Sequence, residues 1–114
     1  MTHDVVEALK EARGLIAGGW CQHAMALDAH GAETDFMDGG ARRFCIDGAC
    51  MRVGRWRDSI YTPMTNALRT VLNHPFLVDW NDAKDRTQAD VLALFDRAIE
   101  LAEQGAQSAG TQKE

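Results

Sequence analysis

Apolar residues that recur at helical spacing constrain this chain more than any other feature of its sequence. The first stripe predicts a helix over residues 4–17, and its members are Val5, Leu9, Ala12 and Ile16. The Gly18–Gly19 pair ends that helix, because glycine is favoured just past a helix end. A broader stripe predicts a last helix from about residue 86 to 103, and comprises Val91, Leu94, Phe95, Ala98, Ile99 and Ala102. Each stripe has to be buried against other elements, so the sequence predicts a helical globule.

Two further helices are predicted between these stripes. One covers residues 40–53, with Asp38 near its N-cap. Its predicted seam is formed by small residues that share one face: Ala41, Cys45, Gly48 and Ala49. A glycine inside a helix costs about 1 kcal/mol relative to alanine, so we expect close approach of another backbone, from the first or the last helix, at Gly48. The other helix starts with Thr62 as N-cap and Pro63 at the first helical position, and ends at His74–Pro75.

The remaining segments have weaker patterns. Residues 20–27 indicate an extended or irregular stretch that turns near residue 30, and residues 33–38 a loop that directs Phe36 and Met37 inward. The apolar run 76–80 is too short to be assigned as helix or strand. The fold class is therefore mainly α, a single domain over residues 1–104. About four helices form it, with a short extended or irregular segment after the first, and residues 105–114 form a flexible tail. The expected core is Val5, Leu9, Ile16, Phe44, Cys45, Gly48, Leu68, Leu72, Val91, Phe95 and Ile99.

Composition and charge narrow the classes of function. The 114 residues suit one domain, and 46% apolar with 25% charged residues exclude a largely disordered chain. Seventeen acidic residues against 12 basic ones give a net charge of -5, which argues against nucleic acid or an anionic membrane as the partner. No apolar run reaches the roughly 18 residues that span a bilayer. The N-terminus is polar and acidic, unlike a signal peptide, so we expect a cytoplasmic protein.

Three groups of short strings occur in a recognisable order. They are Gly19–Trp20–Cys21–Gln22, then Arg43–Phe44–Cys45 with Gly48–Ala49, then Trp80–Asn81–Asp82 with Arg86–Thr87–Gln88–Ala89–Asp90–Val91. This order resembles a family of small uncharacterised bacterial and phage proteins, defined only as a domain of unknown function, from about residue 5 to 103. His23 stands where the family pattern has a small residue. The resemblance supports the architecture and implies no chemistry, and phage members would suggest a role on host machinery.

Cysteine and histidine are the residues that most readily suggest a metal or a nucleophile. Cys21, His23, His30, Cys45 and Cys50 are zinc ligands by type, but they lack the paired spacing of structural zinc sites. On one helix, Cys45 and Cys50 would point roughly 140° apart. A catalytic cysteine needs exposure and a histidine partner, and nothing in the sequence places one. We therefore expect no metal, no cofactor and no catalytic set, and three buried, reduced thiols.

A cluster of arginines around Trp56 is the first candidate contact surface. Residues 39–59 hold five arginines against two aspartates, a local charge of +3. Trp56 lies between Arg55 and Arg57, a composition found in protein-interface hot spots and in single-strand nucleic-acid sites, as well as in ordinary solvated loops. Because the net charge of the chain opposes nucleic acid, a protein contact through Trp56 and Arg57 is the favoured functional interpretation.

A second candidate set joins the recurring strings and comprises Trp20, Gln22, Arg43, Trp80, Asn81, Asp82 and Arg86. Such residues near element ends form capping and buried hydrogen-bond networks, here with an Asp82–Arg86 or Asp82–Arg43 pair. The leading hypothesis is a non-enzymatic helical interaction module with a protein partner or a second copy of itself. The alternative is a small-ligand or nucleotide binder, with or without hydrolytic activity. Its pocket would lie near Trp20, Arg43, Trp80 and Arg86.

Overall fold

The computed structural model of this protein describes residues 2–55 and 57–112, and the side chains of residues 5–55 and 57–105. In that part of the chain the elements are α1 (Thr2–Gly18), β1 (Ala26–Asp28), β2 (Ala41–Phe44), α2 (Ile46–Gly54), α3 (Asp58–Leu72), α4 (Leu77–Asn81) and α5 (Gln88–Gln112). The mainly helical, single-globule prediction is confirmed. None of the helices over these ranges combines the length and the apolarity that a membrane span requires.

The core lies where α1 packs on α5, with α2 and α3 closing its other sides. Leu9 and Ile16 from α1 and Phe95 from α5 are completely buried, as the two apolar stripes predict. Every residue of the predicted core is buried except Leu72, which is only partly covered near the end of α3. The two strongest sequence patterns therefore meet each other in the centre of the domain.

Polar side chains fix the start of α5 and the end of α1. Thr87 and Asp90 form a reciprocal capping box, with Thr87 N to Asp90 Oδ2 at 3.0 Å and Asp90 N to Thr87 Oγ1 at 3.1 Å. Gln88 donates from Nε2 to the carbonyl of Ile16 at 2.7 Å, which satisfies a free carbonyl at the end of α1. Helix α5 extends to Gln112, past the predicted fading point at residue 103. The last two residues of the predicted tail lie outside the described ranges.

A short antiparallel sheet replaces the first half of the predicted second helix. Strand β2 pairs with β1, Ala26 opposite Phe44, with an irregularity that leaves Arg42 without a partner residue. On its other side Phe44 bridges Trp20, so β2 lies between two stretches of the segment that follows α1. The prediction of helix at 41–44 is wrong because the irregularity buries both Ala41 and Phe44, which gives the strand an i, i+3 burial pattern.

Helix α2 begins at Ile46, with Cys45 rather than Asp38 as its N-cap. The Cys45 Sγ accepts a hydrogen bond from Gly48 N at 3.2 Å. Asp38 instead accepts from Gly40 N at 2.7 Å within the preceding loop. Gly48 does make the expected close backbone approach, but to the carbonyl of Met25 rather than to another helix. A Cβ at position 48 would lie 2.0 Å from that oxygen.

Two other expectations differ from the structure. Helix α3 begins at Asp58, so Thr62 is not its N-cap and Pro63 lies in its second turn; it ends before Asn73, which adopts a left-handed conformation. Met37 is exposed, whereas its neighbour Phe36 is buried as expected. The run 76–80 is left unassigned by the sequence. In the structure it forms the N-cap and most of the short helix α4, which carries Asn81 at its C-terminal end.

Candidate functional site

Asn81 is the centre of the residues that the sequence singles out. Its side chain is completely buried on α4 and uses all of its hydrogen-bonding capacity. The Oδ1 atom accepts from Trp20 Nε1 at 2.8 Å and from Ile46 N at 3.2 Å. The Nδ2 atom donates to Cys21 O at 3.1 Å and to Asp82 Oδ1 at 2.9 Å. One amide therefore joins the segment after α1, the start of α2 and α4.

Gln22 and Asp82 extend this network on either side. Gln22 donates from Nε2 to the carbonyls of Asn81 and Ala83, both at 3.0 Å, and so binds the C-terminal end of α4. Asp82 Oδ1 also accepts from His23 N at 2.9 Å. His23 has a φ of 67°, a left-handed conformation that is uncommon for residues other than glycine, although histidine adopts it more often than most. The hydrogen bond from its backbone N–H to Asp82 supports this conformation.

Trp80 and Arg86 form a separate pair beside the network. The guanidinium of Arg86 lies 3.8 Å from the centre of the Trp80 ring, and its Nε donates to the Trp80 carbonyl at 2.8 Å. The guanidinium of Arg86 thus makes a cation–π contact and one hydrogen bond, both with Trp80. The two tryptophans serve different contacts, since the Trp20 indole donates to Asn81.

The predicted ion pairs of Asp82 do not form. Among the hydrogen bonds and ion pairs of residues 5–55 and 57–105, none joins Asp82 to Arg43 or to Arg86. Arg43 is exposed on β2, and no hydrogen bond or ion pair joins its side chain to Asn81 among residues 5–55 and 57–105. At the centre of the contacts between α4 and the rest of the domain is the neutral Trp20–Asn81–Ile46 network, which the sequence does not reveal.

The arginine cluster is also divided by the fold. Arg52 donates to two carbonyls of the loop before β2, at 2.8 and 2.9 Å, and its guanidinium lies 5.4 Å from the Phe44 ring centre. Arg42 donates to two carbonyls of its own turn. Arg57 contacts the Gly54 carbonyl at the start of α3. Trp56, the centre of that candidate surface, lies outside the described residues.

A cleft opens next to the Asn81 network, between residues 23–25 and α4; we call it the α4 cleft. Its volume is about 410 Å³, and it is lined by His23, Ala24, Met25, Cys45, Val78 and Asp82. Neither Trp20 nor Trp80 lines it, so this cleft is not the predicted two-tryptophan pocket. The side chain of His23 is 74% exposed at its mouth, with Nδ1 3.8 Å from Asp82 Oδ2.

The three thiols are all buried, as the sequence predicts. Burial raises the pKa of Cys45 from 9.0 to about 11, and the hydrogen bond from Gly48 N only partly opposes this. Burial raises the pKa of Cys21 to about 12 and that of Cys50 further still. A nucleophilic cysteine needs the opposite shift. The Cys45 thiol in the α4 cleft is therefore poorly suited to attack a substrate, although His23 and Asp82 line the same space.

The donors around the cleft also do not form a metal centre. Within the part of the chain that the structure describes, no three His, Cys, Asp or Glu side chains lie close enough to hold a metal ion. Sequence reasoning selected Asp82 but missed Met25, Val78 and the capping role of Cys45. No local signal marks Met25 or Val78, because the cleft arises from the packing of α4 against a segment more than 50 residues away.

Comparison with known proteins places the chain among sequences without an assigned activity. The sequence model of the family described as "Family of unknown function (DUF6197)" matches residues 1–101. Neither the curated proteins nor the solved structures gave a match. The geometry of the described residues therefore carries the argument about function.

Proposed function

This chain belongs to the family of unknown function DUF6197, and from the geometry of α4 we propose that it is a non-enzymatic module that binds a protein partner. The observation that carries the proposal is the exposure of two large apolar side chains at α4. Phe76, its N-cap residue, is 62% exposed, and Val78 is 44% exposed. Aromatic side chains are enriched at interface hot spots. A single exposed apolar side chain is common on protein surfaces and does not by itself indicate an interface, whereas Phe76 and Val78 are exposed two residues apart.

The backbone beneath this apolar surface is held in place. Asn81 and the Gln22 contacts anchor the end of α4, and Arg69 donates to the Pro75 carbonyl at 2.9 Å just before its start. Phe76 N donates to His74 Nδ1 at 3.0 Å. A surface fixed in this way loses little conformational entropy on binding, which favours affinity. The buried, weakly acidic thiols support a function without covalent chemistry.

Loss of the apolar side chains at α4 should abolish partner binding. The variant carries Phe76→Ser and Val78→Ser, and the matched control carries Met37→Ser, a change at an apolar side chain of similar exposure outside α4. In cross-linked pull-downs from bacterial extract, we expect one partner to be retained by wild type and control and lost by the double variant. Removal of a hot-spot aromatic costs about 2 kcal/mol or more, roughly 30-fold in Kd. Identical captured proteins for all three would contradict the proposal.

The same double variant also tests the class of partner, in a second experiment. From the resemblance to bacterial and phage proteins, we propose a cytoplasmic component of host machinery as the partner. A second copy of this chain is the other protein partner that the surface allows. Light scattering of wild type and of the Phe76→Ser, Val78→Ser variant separates the two, because a homodimer would become a monomer in the variant.

A small-ligand binder is the second candidate, and the volume of the α4 cleft favours it. About 410 Å³ lies within the usual size range of ligand sites. Asp82 lines the cleft, so an anionic nucleotide is disfavoured there. A thermal-shift screen of nucleotides, small anions and small amines tests this candidate, because a ligand at 100 times its Kd stabilises a protein by about 2.7 kcal/mol. No shift across the screen would leave the protein partner as the explanation.

A further inference from the structure

The α4 cleft combines apolar walls with one carboxylate oxygen, Asp82 Oδ2, that accepts no hydrogen bond from the described residues. Ala24, Met25 and Val78 supply the walls, and Asp82 is the acidic side chain among the lining residues. Its Oδ1 atom already accepts two hydrogen bonds within the network, from His23 N and from Asn81 Nδ2. Its Oδ2 atom accepts no hydrogen bond from the residues that the structure describes, and the nearest basic atom to it is His23 Nδ1 at 3.8 Å. A ligand in the cleft would therefore contact hydrophobic surface and one negatively charged hydrogen-bond acceptor.

The position of this acceptor is fixed before any ligand arrives. Asp82 cannot rotate without giving up both hydrogen bonds at Oδ1, and its side chain is only 23% exposed. The left-handed conformation of His23 depends on one of those bonds. A non-glycine residue in this region has a local energetic cost, and such residues concentrate at ligand-binding segments. The Asp82 carboxylate is thus oriented by the fold before any ligand binds.

The size and the hydrogen-bonding pattern select among cationic groups. A volume of about 410 Å³ accommodates one long side chain and no folded element. A lysine has a hydrocarbon stem and a compact ammonium head, which match apolar walls and one acceptor. An arginine makes its strongest carboxylate contact through two parallel hydrogen bonds, and Asp82 offers only one free oxygen. The net charge of -5 also attracts a basic partner over longer distances.

We propose that the α4 cleft receives a lysine side chain of a partner polypeptide, with its stem along Ala24, Met25 and Val78 and its ammonium on Asp82 Oδ2. This inference rests on the proposed function and specifies the chemistry of the partner. The exposed side chain of Phe76, two residues before Val78, would contact the residues that flank the lysine.

NMR titration of the ¹⁵N-labelled full chain tests the side-chain class. The probes are acetyl-Leu-Lys-Leu-amide, the same peptide with Nε-acetyl-lysine or arginine at the centre, and n-butylamine. We expect the lysine peptide to shift the amide signals of residues 23–25, 78 and 82 and to bind more tightly than the other three probes. Equal shifts with the acetylated peptide, tighter binding of the arginine peptide or no shift with the lysine peptide would overturn the proposal. Equal binding of n-butylamine would identify a small amine instead.

Matched variants test the acceptor. Asp82→Asn keeps an oxygen for His23 N and removes the charge, and we expect about a tenfold increase in the Kd of the lysine peptide, the size of one charge-assisted hydrogen bond. Asp79→Asn, exposed on α4 and outside the cleft, should leave the Kd unchanged. Equal effects of the two variants would refute the assignment. If Asp82→Asn does not fold, the lysine and acetyl-lysine comparison on wild type decides alone.

The outcome also separates this inference from the proposed function. Capture of a protein that depends on Phe76, without any response to the lysine peptide, would overturn the lysine assignment and leave the interaction module standing. A specific lysine response together with identical captured proteins for wild type, control and double variant would support the cleft chemistry and overturn the assignment of Phe76 and Val78 as the partner surface.

Discussion

Replacing Asn81 by alanine should destabilise the domain more than any other exchange of a polar residue in the described chain. The amide connects three separate parts of the fold through four hydrogen bonds, and its side chain is completely buried. Truncation leaves the indole N–H of Trp20, the backbone N–H of Ile46 and the carbonyl of Cys21 without their partner. The Ile46 N–H belongs to the first turn of α2, where no intrahelical carbonyl can replace the lost acceptor.

The magnitude follows from these three groups. A buried donor or acceptor left without a partner costs about 1–3 kcal/mol, and water that enters the small space would recover part of this. Alanine in place of asparagine favours helix by at most about 0.7 kcal/mol. The expected loss is therefore about 3–5 kcal/mol, a large share of the roughly 5–15 kcal/mol that stabilises a domain of this size.

Urea unfolding followed by circular dichroism measures this loss, since most of the described chain is helical. The matched control is Asn66→Ala on the exposed face of α3, which should change the free energy of unfolding by less than about 0.5 kcal/mol. Trp20→Phe removes one donor of the network and should couple to Asn81→Ala by about 0.5–3 kcal/mol in a double-mutant cycle. A loss for Asn81→Ala no larger than that for Asn66→Ala would refute the view that this amide holds the three segments together.

Three other perturbations test the packing and the thiols. Gly48→Ala should cost about 1–3 kcal/mol despite the better helix propensity of alanine, because the new Cβ would meet the Met25 carbonyl. Gly14→Ala has open space around the new Cβ and should stabilise the domain by up to about 1 kcal/mol. Equal urea midpoints for the two variants would contradict the close approach at Gly48. Phe95→Ala should cost about 3–5 kcal/mol in the same assay, and a loss below about 1 kcal/mol would place the ring outside the core. Burial raises the pKa of Cys45 from 9.0 to about 11, so at pH 8 the folded chain should hold about a hundredfold less Cys45 thiolate than the unfolded chain. We therefore expect Cys45 of the folded chain to resist alkylation by iodoacetamide, which peptide mass spectrometry would measure. Because the pKa of Cys45 is higher in the folded chain than in the unfolded chain, the protonated thiol favours folding. This contribution to stability is complete below pH 9 and is lost between about pH 9 and pH 11, so a urea midpoint that rises over this range would contradict the burial.

Local chemistry determined the ends of the strongest elements. The apolar stripes predict α1 and α5, and two capping boxes compete in the sequence for the start of α5, Asp85 with Gln88 and Thr87 with Asp90. The structure forms the second of them. The turn at Asp28 follows the same rule: its side chain accepts from the backbone of His30 and Ala32, and these bonds lower its pKa. Gly31 adopts the positive φ that the turn requires.

The sequence also identified most of the residues around α4 but not their arrangement. Trp20, Gln22, Asn81 and Asp82 do come together, yet the predicted charge pairs of Asp82 are absent among the described residues and a neutral amide holds the centre. Composition identifies residues that need partners when buried, but it does not choose between a guanidinium, an amide and a backbone group as the partner. That choice depends on distances across some 60 residues of chain.

The secondary structure of residues 41–54 is determined only by the tertiary structure. The small and apolar positions there fit a helix, and an uninterrupted helix would satisfy every local rule. Backbone groups of Gly19, Cys21 and Met25 bond to Phe44 and Cys45 from both sides, which draws residues 41–44 into a strand and delays α2 to Ile46. These bonds join positions about 20 residues apart, so no window of sequence contains both partners. The sequence therefore determines which elements are strongly helical, while long-range backbone pairing determines where the weaker ones begin and where the α4 cleft opens.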